Sequence, residues 1–107
     1  MKTRLRLLFC RIGRHGASKY AARWHDANLW HDECALRYCP RCGTGWLDWY
    51  FDPPDLGAPE RRSTKFSGRE LLDVVIPDLL ADGVVVSRRA REDIHRLVVR
   101  QASARTP

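Results

Sequence analysis

The chain has 107 residues, four cysteines and a formal net charge of +6. That length supports one modest core, and any second unit is no more than a helical appendage. No run approaches the roughly 20 apolar residues of a membrane span, and the apolar stretch from Leu5 to Ile12 is broken by Arg6 and Arg11 and has no small-residue cleavage site, so a cytoplasmic, reducing setting is expected. There, clustered cysteines serve as metal ligands more often than as disulfides.

Taken in chain order, Leu5-Arg6-Leu7-Leu8-Phe9 reads as a short strand entering a turn bounded by Gly13 and Gly16, with Cys10 and His15 on either side of it. From Ala17 to Trp30 the composition fits a helical turn, an irregular stretch or a strand with Trp24 and Trp30 inward. Tyr38-Cys39-Pro40-Arg41-Cys42-Gly43 is a tight turn, and the aromatic run Trp46 to Phe51 favours a strand. Residues 53–62, rich in proline, read as an exposed connector between a metal-binding half at 1–52 and a helical half at 63–107.

Beyond the connector, Ser67-Gly68-Arg69-Glu70 has the spacing of a capping box and opens an apolar helix through Leu71, Leu72, Val75 and Ile76. Pro77 kinks that helix or starts a new turn, and Gly83 stops it. Val84-Val85-Val86 suggests a short strand, after which Ser87 caps a last helix from Arg88 to about Gln101. Ala90, Ile94, Leu97 and Val98 share one face of that helix. The predicted fold class is α+β, a small zinc-ribbon-like N-terminal half with a C-terminal helical segment.

Zinc takes four ligands at tetrahedral corners, and a Cys-x-x-Cys turn supplies two from one loop. Cys39 and Cys42 form such a pair, and Gly43 lets the chain turn behind the second sulfur. Three residues compete for the other two corners. Cys10 with His15 is the first choice, then His15 with Cys34, then Cys10 with Cys34. His25 and His31 fit better as surface or half-buried imidazoles beside Trp24 and Trp30.

Phe9-Cys10-Arg11-Ile12-Gly13-Arg14-His15 and Cys34-Ala35-Leu36-Arg37-Tyr38-Cys39-Pro40-Arg41-Cys42-Gly43 together resemble the metal site of small zinc-ribbon-like proteins of unknown function encoded by phages and prophages, including those of actinobacteria. The resemblance spans about residues 5–46. It implies zinc and a phage setting in a bacterial cytosol, and no activity.

Charge is uneven: residues 1–24 carry a net +7, residues 25–60 a net −5 and residues 84–107 a net +4. Two functions compete. The first is a regulatory module binding a host or phage protein, its structural zinc holding the fold while the apolar seams at Leu71, Leu72, Ile76, Leu79 and Leu80 and at Ile94, Leu97 and Val98 dock the partner. The same residues would equally serve as the chain's own core. The alternative is nucleic-acid binding through Arg88, Arg89, Arg91, Arg96 and Arg100 of the last helix. An enzyme is not expected: His25-Asp26-Ala27-Asn28-Leu29-Trp30-His31 crowds its polar groups too closely for a nuclease of the HNH type, and a zinc with four protein ligands leaves no position for water. The four tryptophans read chiefly as core of the metal half.

Overall fold

The computed structural model describes residues 15–25, 33–51 and 60–105. The expected strand at 5–9, Cys10, Trp30, His31 and residues 52–59 of the chain lie outside them. Four strands, β1 (Lys19–His25), β2 (Glu33–Tyr38), β3 (Gly45–Phe51) and β4 (Glu60–Phe66), form an antiparallel sheet in the order β1-β2-β3-β4. A helical run follows, consisting of α1 (Gly68–Glu70), a π-helical turn (Leu71–Val75) and α2 (Ile76–Ala81), and then α3 (Arg88–Arg105). The architecture is α+β, as the sequence predicts. No helix among the described residues is long and apolar enough to cross a membrane.

Strand periodicity sorts the side chains onto two faces. Ala22, Leu36 and Leu47 stand in one cross-strand row, and Tyr38, Gly45 and Phe66 in another on the same face. The helices lie on this face. The Leu71 side chain occupies the space where a Cβ at Gly45 would sit, so that glycine lets the π turn approach the sheet. A register shift between Tyr20 and Ala22 lets two successive alanines, Ala21 and Ala22, both be buried. One core then joins Ala21, Ala22, Leu36 and Tyr38 of the sheet to Leu71, Val75, Ile76, Val86, Ala90 and Ile94.

Three elements differ from expectation. The ambiguous stretch after Ala17 is a strand at residues 19–25. Residues 60–62, expected in the connector, and residues 63–66, expected in the helical half, make β4. Its polar sequence, Arg61-Arg62-Ser63-Thr64-Lys65, carries no hydrophobic alternation, yet it suits an outer strand that gains its stability from the backbone ladder with β3. Val84 to Val86 form no strand: Val86 is buried beneath the helices, Val85 is exposed, and Ser87 N–H donates to the Ala21 carbonyl at 2.7 Å.

The helix signals are read correctly at both ends. Glu70 N–H donates to Ser67 Oγ at 3.1 Å and Ser67 N–H to Glu70 Oε1 at 3.2 Å, completing the capping box. Pro77 has no N–H to give, and its ring would crowd the carbonyl four residues earlier in a regular α turn; the wider π turn just before it accommodates both. At the far end Gly83 adopts φ 84°, with Gly83 N–H on Leu80 O and Val84 N–H on Leu79 O, a Schellman stop. Ala90 N–H donates to Ser87 Oγ at 3.3 Å to start α3.

Between the sheet and α3, buried Tyr38 donates its hydroxyl to Asp93 Oδ2 at 2.9 Å, and Arg96 pairs with the other carboxylate oxygen. Burial first, and the Asp93 bond second, push the Tyr38 hydroxyl up to about 12 from its ordinary 10.0. The folded chain thus holds this proton more tightly than the unfolded one: the contribution is intact below pH 10 and is lost as pH rises towards about 12. Replacing Tyr38 with Phe is expected to cost about 1 kcal/mol at neutral pH and to flatten the alkaline fall in stability, as measured by denaturant unfolding at a series of pH values. Ile94→Ala, at the centre of the core, should cost about 2–5 kcal/mol in the same assay.

Candidate functional site

The turn from Cys39 to Thr44 joins β2 to β3. Cys39 N–H donates to the Thr44 carbonyl at 2.7 Å and Gly43 N–H to the Cys39 carbonyl at 2.8 Å, while Gly43 takes φ 81°. A side chain at that φ would be strained, so the glycine is what closes the turn behind Cys42. The two sulfurs are inside: Cys39 is 0% and Cys42 8% exposed.

His15 meets them. Its ligand atom and the two sulfurs lie within 4.8 Å of one another, forming a cluster able to hold a metal ion. His15 Nδ1 is 3.5 Å from Cys42 Sγ. Two ligands sharing a tetrahedral ion, at about 2.3 Å for sulfur and about 2.0 Å for nitrogen, stand about 3.5 Å apart, so this pair is already at the separation a shared ion needs. The Thr44 hydroxyl oxygen lies 3.2 Å from the same sulfur.

The imidazole is fixed by its surroundings. Its ring meets Trp46 edge-on, with centroids 4.9 Å apart, and the Arg41 guanidinium fills the space where a Cβ at Gly16 would sit. Burial, and then the positive charges of Lys65, Arg37 and Arg41, hold the His15 pKa below its usual value. The neutral ring is the form that binds metal, so these charges favour the ligand state.

The turn is also packed against the helices. Gln101 Nε2 donates to the Cys42 carbonyl at 2.6 Å. A Cβ on Gly68, at the start of α1, would lie 3.0 Å from the Gly43 carbonyl oxygen and 2.8 Å from Val98 Cγ2, so a side chain there would part α1 from the turn and α3. The sequence offered no sign that Gln101 or Gly68 belonged to the site, because both are remote from the cysteines along the chain.

The remaining candidates separate. Cys34 lies in β2, in a row with Trp24 and Trp49, and is not part of the metal cluster. Cys10 is outside the described residues. Of the α3 arginines, Arg88 pairs with Glu92 at 3.3 Å and Arg96 with Asp93, whereas Arg89 and Arg100 are exposed. Arg91 is half-buried, and its Nε has no hydrogen-bond partner among the described residues. Ile94 and Leu97, read as one of two docking seams, are buried in the chain's own structure.

A second feature was not foreseen. The sheet face opposite the helices carries Tyr20, Arg23, Arg37, Trp46, Asp48, Tyr50, Arg61, Ser63 and Lys65 by strand alternation. Arg37 stacks on Trp46 at 4.5 Å and donates to Asp48 Oδ2 at 2.5 Å, and Ser63 donates to Asp48 Oδ1 at 2.5 Å. Next to this network is an open cavity of about 460 Å³, with Tyr20, Arg23, Trp24, Trp49, Tyr50 and Arg61 in its wall. The alternation of Arg61, Ser63 and Lys65 was the available signal, hidden by dividing that segment between the connector and the helical half.

Compared with known proteins, the chain matches no family model, no curated protein and no solved structure. Function is therefore argued from the geometry. Cys39→Ser and Cys42→Ser are each expected to lose metal binding, whereas Cys34→Ser retains it, as read by titration with cobalt and the thiolate absorption it produces.

Proposed function

We propose that this protein is a non-catalytic binding module held together by one structural zinc ion, with His15, Cys39 and Cys42 as ligands and Cys10 as the fourth. The observation that carries this reading is the burial of both sulfurs in a turn locked onto α1 and α3, away from the open cavity. Two thiolates and an imidazole favour zinc among common divalent ions, and a fully protein-ligated ion supplies folding energy in place of chemistry. Cys10 follows from the sequence: it is five residues before His15, and its competitor Cys34 lies in another part of the sheet. The β2–β3 hairpin with its cysteine turn is the ribbon-like element of this proposal.

The working surface in this reading is the sheet face opposite the helices, and the partner is anionic, as the basic residues there require. Docking of a partner helix through Ile94 and Leu97 has less support, because both are taken up internally. The motif resemblance adds a phage or prophage setting in the bacterial cytosol, and a regulatory role there during phage growth or lysogeny is part of this proposal.

Elemental analysis of freshly reduced protein is expected to give one zinc per chain, and Cys10→Ala should weaken retention. Chelation should raise amide exchange in the Cys39–Thr44 turn and in the α3 segment around Gln101 together. Metal-free protein with unchanged protection at both places would refute the structural role.

A further inference from the structure

We infer that the sheet face opposite the helices binds single-stranded nucleic acid, with a base seated in the cavity walled by Tyr20 and Tyr50 and with phosphates held by Arg23, Arg61 and Lys65. This deepens the binding-module reading and rests on it. Three observations converge.

The first is aromatic surface. Tyr20 is 57% and Tyr50 36% exposed, so both rings present surface to solvent on this face. The Arg23 guanidinium stacks over Tyr20 at 4.9 Å, so that ring already lies against a planar cation. A nucleobase is a planar group that stacks on such faces, and stacking of this kind is tolerant of sequence.

The second is charge. Arg23, Arg61 and Lys65 are exposed on this face. Two acids enter the cavity wall. Asp48 is committed to Arg37 and Ser63, and Glu33 is outnumbered by the cations around it. The face is therefore complementary to a polyanion.

The third is size. At about 460 Å³ the cavity falls within the range that holds a small organic ligand, and its opening onto the sheet leaves room for a chain to continue past it. A duplex would present phosphates to this face but would keep its bases stacked inside the helix, away from Tyr20 and Tyr50. A single strand satisfies rings and cations together.

The test uses the zinc-loaded full chain and fluorescein-labelled mixed-sequence oligonucleotides as single-stranded DNA, single-stranded RNA and duplex DNA of equal length, read by anisotropy at two salt concentrations. Either single strand should bind at least about tenfold tighter than the duplex. Tyr20→Ala and Tyr50→Ala should each weaken that binding by about fivefold or more, and Arg61→Ala should reduce the slope of log affinity against log salt by about one. The α3 double variant Arg89→Ala with Arg100→Ala should bind as the parent does. Zinc content and circular dichroism of each variant separate misfolding from lost contact, and Tyr20→Phe and Tyr50→Phe, which keep the rings, should bind normally. Duplex bound as tightly as single strands, binding lost only with the α3 arginines, or no binding by folded, zinc-loaded protein would each overturn the inference. The last outcome would leave the zinc reading standing; protein that folds without zinc would overturn that reading instead.

Discussion

The turn between Tyr38 and Gly45 has to meet three demands at once. It must reverse the chain so that β2 and β3 stay in register, it must aim two sulfurs at one point, and it must present a surface that α1 and α3 can pack against. Gly43, at φ 81°, satisfies the first and frees the second. Gly68 and Gln101 satisfy the third from distant parts of the chain. Because the same few residues serve all three, the position of the helices on the sheet and the geometry of the metal cluster are set together, and a change in one is felt in the other.

From that turn the two faces of the sheet take different tasks. One is covered: Leu36, Tyr38 and Ala22 meet Leu71, Ile76 and Ile94, and the Tyr38–Asp93 bond fixes α3 across them. The other is polar and aromatic. A carboxylate as buried as Asp48 would be costly if unpaired, and Arg37 with Ser63 supplies both of its oxygens with donors. Arg37 in turn lies on Trp46, whose ring borders His15. The metal cluster and the open face are thus linked through Arg37 and Trp46, with no shared ligand.

Local chemistry made parts of this arrangement readable in advance. The Cys39–Cys42 pair, the Ser67–Glu70 cap, the stop at Gly83 and the inward face of Ala90, Ile94 and Leu97 each depend on a few neighbouring residues, and each is where the sequence puts it. What escaped depends on partners far along the chain. β4 is a strand because β3 offers it a backbone ladder, and nothing in Arg61-Arg62-Ser63-Thr64-Lys65 declares that by itself. Val84 to Val86 have strand-forming side chains but no neighbouring edge; burial of Val86 and the Ser87–Ala21 bond decide their path. Cys34 competes with Cys10 on spacing alone, and only the fold separates it from the sulfurs of the turn.

Among the described residues β1 and β4 are the outer strands of the sheet. Such strands expose unpaired backbone groups that can recruit a second copy and extend the ladder into an aggregate. Here β4 carries Arg61, Arg62 and Lys65, and β1 carries Lys19 and Arg23. Two copies approaching edge to edge would bring like charges together before any hydrogen bond formed, so the basic borders of the sheet act as a guard against self-association.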